Sequence, residues 1–167
     1  MIRRSQGCKF KQLIERFNSS IAPLKDLLAF LYKKSKTNDV HKKQVIIELR
    51  DNLNVFKNGF INQSPYDQMI DLLQHDAIQS AIKENFSFKK LRSGTIATDS
   101  IKEERNKKYS GWTAEKLVDK IDEKIVELKN IKKMNRDTVK EVKNNIPLMM
   151  SNLYFRMKLL ADFIQSE

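Results

Sequence analysis

Two histidines are the side chains of this 167-residue chain best suited to acid–base catalysis near neutral pH. His41 lies in the stretch D-V-H-K-K and His75 in L-Q-H-D-A, where Asp76 follows it directly. Adjacent residues on a helix point about 100° apart, so His75 and Asp76 do not have the geometry of a catalytic relay. We therefore expect both histidines on a solvated surface and predict no catalytic residue.

Carboxylates and cysteine give no stronger signal for a reaction or a metal. Glu103 and Glu104, like Asp122 and Glu123, lie in charged surroundings without the apolar neighbours that raise the pKa of a carboxyl group. Cys8 is the single cysteine, so neither an internal disulfide nor a cysteine zinc site is expected. The glycine-rich phosphate loops, the nucleophile elbow and the helical zinc motif do not occur. We predict no cofactor and no metal.

Two dipeptides, Arg50-Asp51 and Arg105-Asn106, resemble the first half of the arginine–polar–histidine motif of HEPN-like helical ribonucleases from bacterial toxin and phage-defence systems. No histidine follows either dipeptide at the spacing of that motif. Without a histidine as general base, cleavage of RNA by that mechanism is not expected. The resemblance implies, as an enzymatic alternative, a degenerate ribonuclease or toxin-type component that uses Arg50 or Arg105.

Positive charge is the dominant feature of the composition. The net charge is +11, and residues 1–60 alone carry 13 Lys and Arg against 5 Asp and Glu. Such a surface suits nucleic acid, an anionic membrane or an acidic protein. Lysine outnumbers arginine 24 to 8, which disfavours sequence-specific reading of bases. A lysine- and asparagine-rich composition is also what an AT-rich genome produces, and this alternative stays open.

A long stretch from about residue 84 to 111 lacks helical periodicity and carries cations at both ends. Connections of this length in a compact domain are usually functional or disordered. The predicted surface for nucleic acid or an acidic partner comprises Lys89, Lys90, Arg92, Arg105, Lys107, Lys108 and Tyr109. Trp112 has a structural interpretation instead, because Thr113 can cap the next helix while Trp112 packs against Leu117 as a hydrophobic staple.

The residues discussed above lie on or between predicted helices, since helical periodicity is strong and helix-breaking residues are few. The chain has four glycines and three prolines, which favours helices over a β-protein that needs frequent turns. Apolar spacings predict helices over about Phe10–Tyr32, Val40–Phe56, Pro65–Lys83 and Ala114–Met134, and a fifth segment that opens at Asp137 as N-cap and ends near Ile164. The predicted fold is one all-α domain, an antiparallel bundle of about five helices.

The C-terminal segment is the most apolar of the chain. One stripe is formed by Met150, Leu153, Met157, Leu160 and Ile164, and a second set on its side by Leu148, Phe155, Leu159 and Phe163. A helix apolar around most of its circumference is either central in a bundle or covered by a second subunit. The sequence leaves both open, and in the second case the side set is the subunit interface of a homodimer.

Binding rather than catalysis is the predicted function. No apolar run is long enough to cross a membrane and no secretory signal is visible, so we expect a cytoplasmic protein without membrane contact. We expect an accessory or adaptor subunit of a larger intracellular, bacterial system, with a protein partner favoured over non-sequence-specific nucleic acid. The alternatives are the degenerate ribonuclease and a structural subunit that assembles through the apolar C-terminal helix.

Overall fold

The computed structural model describes residues 23–166, which contain six α-helices and no strand. These are α1 (residues 23–34), α2 (Val40–Ile61), α3 (Tyr66–Leu72), α4 (Asp76–Lys83), α5 (Ala114–Met134) and α6 (Ile146–Gln165). The all-α prediction is confirmed. Cys8 and the part of the predicted first helix that precedes residue 23 lie outside the described residues.

The helices α2 and α5 begin where their caps predict. Asp39 accepts a hydrogen bond from the Lys42 amide at 3.1 Å, and the Thr113 hydroxyl accepts from the Lys116 amide at 3.4 Å. Each bond satisfies one of the amides that the first turn leaves unpaired. The bounds of α5 are as predicted, whereas α2 continues five residues past Phe56 to Ile61.

The helix predicted over Pro65–Lys83 is wrong, because the chain breaks into α3 and α4. Leu73 has an extended backbone with ψ of 129°, which ends α3. The buried side chain of Asn52 on α2 accepts from the Gln74 amide at 2.8 Å and donates to the Gln74 carbonyl at 2.7 Å. These bonds give the backbone of Gln74 the partners that a continuous helix would otherwise supply.

A second residue of α2 holds the start of α4. The carboxylate of Glu48, which is 4% exposed, accepts from the amides of Ala77 at 2.7 Å and Ile78 at 3.1 Å. Burial raises the pKa of Glu48 despite these two bonds. The cap of α4 therefore comes from a neighbouring helix, since the local N-cap residue His75 makes no capping bond.

The predicted start of the last helix at Asp137 is also wrong. Arg136 and Asp137 have φ angles of 58° and 59°, a left-handed conformation that is incompatible with a helix. The helix α6 begins at Ile146, where the side chain of Asn145 accepts from the Leu148 amide at 3.1 Å.

The helix α6 is the centre of the packed core. It contacts α2, α5 and the 3₁₀ helix Glu104–Tyr109. The residues of its predicted stripe are all fully buried: Met150, Leu153, Met157, Leu160 and Ile164. The chain between α4 and α5 contains three short 3₁₀ helices, Phe88–Lys90, Thr98–Ser100 and Glu104–Tyr109. Across residues 23–166, no helix has the length and apolar character that crossing a bilayer requires.

Candidate functional site

The predicted basic surface between α4 and α5 is divided into two separate groups. Arg92 donates to the carbonyl of Ser166 at 3.2 Å, and Arg105 donates to the hydroxyl of Ser151 at 2.9 Å. Ser151 and Ser166 are fifteen positions apart along α6 and its C-cap, so about 22 Å of helix separates the two arginine contacts. The connection therefore runs along α6 and does not gather its cations in one patch.

In the first group, two cations contact the body of the protein. Lys90 pairs with the carboxylate of Asp39 at 2.9 Å, which lowers the pKa of Asp39. The Arg92 guanidinium lies 5.7 Å from the ring centroid of Phe163. Lys89 is exposed. The positive charge of this group is thus partly neutralised or held against α6.

In the second group, Arg105 anchors the connection. Its guanidinium lies 4.6 Å from the ring centroid of Phe155 and donates to Asn152 at 3.2 Å. Lys107 pairs with Glu104 at 2.6 Å, so its charge is compensated. These contacts give Arg105 and Lys107 the structural explanation that the sequence alone did not offer.

Tyr109 is not available to a partner, contrary to the sequence-based prediction. It is 3% exposed, and its hydroxyl accepts two hydrogen bonds from Arg156, from Nε at 2.9 Å and from the second terminal nitrogen at 2.6 Å. The half-buried ring of Trp112 packs edge-on against it, with centroids 4.8 Å apart. Lys108 lies 5.3 Å from the Tyr109 centroid and is exposed. Tyr109 therefore belongs to the core.

The predicted subunit-interface residues are Leu148, Phe155, Leu159 and Phe163. Three of them are covered within the chain itself, with exposures of 4% for Phe155, 5% for Leu159 and 6% for Phe163. The connection supplies cover, because Arg105 lies over the ring of Phe155 and Arg92 over that of Phe163. Leu148, at 48% exposed, is the member that stays accessible. The central-helix alternative thus accounts for the apolar face of α6.

Both histidines of the chain face carboxylates, which corrects the expectation of solvated rings. His41 lies 2.9 Å from Glu84, and Nδ1 of His75 lies 2.9 Å from Asp122, with side chains 15% and 19% exposed in the second pair. The His75–Asp122 contact ties α4 to α5. Neither histidine reaches Arg50 or Arg105 through these contacts, and within residues 23–166 no three potential metal ligands come together.

An exposed aromatic ring with cations on it lies elsewhere, at the end of α1, and the sequence prediction missed it. Tyr32 is 55% exposed. The Lys36 ammonium lies 4.6 Å and the Arg50 guanidinium 5.7 Å from its ring centroid. We call Tyr32, Lys36 and Arg50 the Tyr32 surface. The sequence pattern that indicates this surface is a tyrosine that follows the buried Leu31 and precedes K-K-S-K.

A cavity of about 300 Å³ between α2 and α3 begins beside this surface. Arg50 donates to Asp51 at 2.8 Å, and Asp51 lines the cavity. We call this cavity the α2–α3 pocket; it is lined by Asp51, Asn54, Val55, Asn58, Gly59, Asn62, Ser64, Gln68, Met69 and Leu72. The Tyr32 surface and the α2–α3 pocket are therefore contiguous through one ion pair.

The pocket owes its shape to Gly59. A Cβ atom at this position would lie 2.6 Å from the Sδ and Cε atoms of Met69, so the absence of a side chain lets the thioether approach α2. Asn54, Asn58 and Asn62 continue the face of Arg50 at intervals of four residues. That period of asparagines is the sequence signal that would have pointed to the pocket.

Comparison with known proteins gives no match: no protein-family model, curated protein or solved structure is similar to this chain. The function must therefore be inferred from the side chains themselves.

Proposed function

We propose that this protein is a non-enzymatic adaptor that binds single-stranded nucleic acid through the Tyr32 surface. The observation that carries the proposal is the exposed Tyr32 ring with the charges of Lys36 and Arg50 at 4.6 and 5.7 Å from its centroid. Proteins that bind single strands combine cations along the backbone with aromatic rings on which bases stack. Both components are accessible here, whereas Tyr109, the aromatic residue that the sequence predicted for this role, is buried.

The charges near Tyr32 suit a phosphate backbone. Lys57 lies two helical turns after Arg50 on α2, at the i+7 position of the same face, and Lys33 follows Tyr32 directly. The carboxylate in contact with the Tyr32 surface is that of Asp51, which pairs with Arg50. The remaining lysines leave a positive balance that attracts a polyanion.

The aromatic ring favours nucleic acid over an acidic protein as the partner. An acidic polypeptide would use the same cations but has no planar group for the Tyr32 ring to stack upon, unless it carries aromatic residues. A base has such a face whatever its identity, which fits the shortage of arginines that read base edges. The contact made by the Tyr32 ring itself is therefore predicted to be tolerant of sequence.

The test is the binding of a fluorescein-labelled single-stranded RNA, measured by fluorescence anisotropy over a series of salt concentrations. Loss of the ring in Tyr32→Ala should weaken binding about fivefold or more, because stacking contributes about 1–3 kcal/mol per base. Tyr32→Phe keeps the ring and should bind as wild type. Lys36→Gln should reduce the salt slope by about 0.7, the value for one single-strand phosphate contact.

Lys116→Gln is the matched control, because Lys116 is an exposed lysine on α5. It should leave the salt slope unchanged. If polyglutamate binds as tightly as RNA and Tyr32→Ala binds both like wild type, the partner is an acidic protein and the nucleic-acid proposal is overturned. Cleavage of the RNA that is lost in Arg50→Ala would instead support the ribonuclease alternative.

A further inference from the structure

The α2–α3 pocket has the chemistry of a site for a planar, hydrogen-bonding ring. Its polar lining is dominated by carboxamides, from Asn54, Asn58, Asn62 and Gln68. A carboxamide presents one donor and one acceptor side by side, which is the pattern needed to pair with the edge of a nucleobase. Val55, Met69 and Leu72 add apolar surface for the face of the ring.

Most of these carboxamides are available to a ligand. Asn62 is engaged, since its amide donates to the Asn58 carbonyl at 2.9 Å. In the described part of the chain, the side chains of Asn54, Asn58 and Gln68 make no hydrogen bond with protein groups. Polar groups that line a concave apolar site and lack protein partners are what fixes the orientation of a bound ligand.

We infer that the α2–α3 pocket binds an adenine base of the strand whose backbone lies on the Tyr32 surface; this inference rests on the function proposed above. Asparagine and glutamine pair in bidentate fashion with adenine, whose amino group donates while the adjacent ring nitrogen accepts. Guanine calls for arginine or lysine, and the pocket lining contains neither. Asp51 at the pocket edge adds a further acceptor for an amino group.

The pocket and the Tyr32 surface are arranged to be occupied by one strand. Arg50 contacts both, because it lies over the Tyr32 ring and donates to Asp51 of the pocket. Asn54 and Asn58 follow Arg50 at one and two helical turns, or about 6 and 12 Å along α2. A strand stacked on Tyr32 thus has its next bases beside the carboxamides.

Two strands of equal length, oligo(A) and oligo(U), separate this inference from the proposed function. Wild type should bind oligo(A) about tenfold more tightly than oligo(U), as one well-formed bidentate contact predicts. The double variant Asn54→Ala, Asn58→Ala should bind the two strands equally while it retains its affinity for oligo(U). Alanine is the better helix former, so the variant is expected to fold.

Asn130→Ala is the matched control, an exposed asparagine on α5 outside the pocket. It should keep the preference for oligo(A). Equal binding of oligo(A) and oligo(U) by wild type, with no effect of the double variant, overturns the pocket inference and leaves the proposed function intact.

Free adenosine provides the independent arm, because this uncharged nucleoside does not need the basic surface. In NMR spectra, adenosine should shift the side-chain amide signals of Asn54 and Asn58 and leave that of Asn130 in place. If no strand binds at low salt but adenosine still shifts those signals, the proposed function fails and the pocket assignment survives. If adenosine shifts none of the pocket signals, the pocket assignment is overturned.

Discussion

Removal of the Tyr109 hydroxyl should destabilise the fold more than removal of Arg156, which donates two hydrogen bonds to that hydroxyl. Arg156 is 5% exposed, and the two hydrogen bonds to Tyr109 are the polar contacts of its guanidinium in residues 23–166. Tyr109→Phe keeps the ring, 5.3 Å from the guanidinium carbon, and removes only the acceptor. The buried charge then lacks a hydrogen-bond partner among residues 23–166, and bonds to charged groups contribute about 1.5–3 kcal/mol.

Arg156→Met removes the charge itself and leaves a neutral hydroxyl unpaired. A buried charge costs more to leave unsatisfied than a neutral group, so this variant should lose about 1 kcal/mol, the lower end of the range for a neutral group and less than Tyr109→Phe loses. The double variant Tyr109→Phe, Arg156→Met replaces both partners by apolar groups of similar size. Its free energy of unfolding should equal or exceed that of wild type, because replacing a whole buried polar pair is often neutral or stabilising.

Urea denaturation, followed by circular dichroism and by the fluorescence of Trp112, measures these differences. Trp112 is the single tryptophan and lies 4.8 Å from the Tyr109 ring, so its emission reports on this site. A loss of about 2 kcal/mol in Tyr109→Phe corresponds to a fall in Tm of roughly 4–8 °C for a chain of this size. Lys116→Gln, which removes one exposed charge, should change stability by less than about 0.5 kcal/mol.

The result that refutes this reasoning is a larger loss in Arg156→Met than in Tyr109→Phe, together with additive losses in the double variant. Additivity would mean that the two side chains do not depend on one another. Arg156 would then contribute to stability through the packing of its alkyl chain.

Three other predictions concern α2. Because burial raises the pKa of Glu48, this residue stabilises the folded state at acid pH, and the stabilisation is lost as pH rises through the folded-state pKa. Urea denaturation from about pH 4 to pH 7 should show this loss in wild type and not in Glu48→Gln. Stability that changes with pH in the same way in both proteins would contradict the prediction. Asn52→Leu removes both bonds to Gln74 and should cost about 1–3 kcal/mol in free energy of unfolding; an unchanged urea midpoint would show that water replaces Asn52. Gly59→Ala should lower Tm because its Cβ overlaps Met69, although alanine favours a helix by about 1 kcal/mol over glycine. In a Met69→Ala background, Gly59→Ala should instead raise Tm. A fall in Tm in that background would rule out the overlap as the cause.

The parts of the fold that could be predicted are those that local sequence determines. The bounds of α5 follow from Thr113 as cap and from an apolar stripe that ends before Met134, and both signals lie in the helix or directly before it. The start of α6 could not be predicted, because Asp137 and Asn145 are both acceptable caps. The left-handed backbone at Asp137 decided between them.

The break between α3 and α4 depends on residues distant in sequence. Asn52 and Glu48 lie more than twenty positions before Gln74 and Ala77, the residues whose backbones they hold. Periodicity within a window detects the apolar positions on both sides of the break but not the partners that cause it. The same limit hid the pairing of His75 with Asp122, 47 positions away.

For the candidate site, charge in the sequence indicated a type of surface but not its position. Arg105 and Tyr109 appeared available because no local residue explained them, and their partners, Ser151 and Arg156, lie more than forty positions later. Tyr32 was overlooked because it continues an apolar helix. Its exposure depends on which face of α1 meets the core, and that is a property of the whole bundle.

The course of the α4–α5 connection along α6 has a consequence for the order of folding. Its contacts join residues 46–74 positions apart, whereas the turns of each helix join near neighbours. Contacts of high sequence separation close large loops and form slowly. We therefore expect each helix to form before the connection docks on α6. In that interval the rings of Phe155 and Phe163 would be uncovered, and the refolding chain would be most prone to associate with other copies.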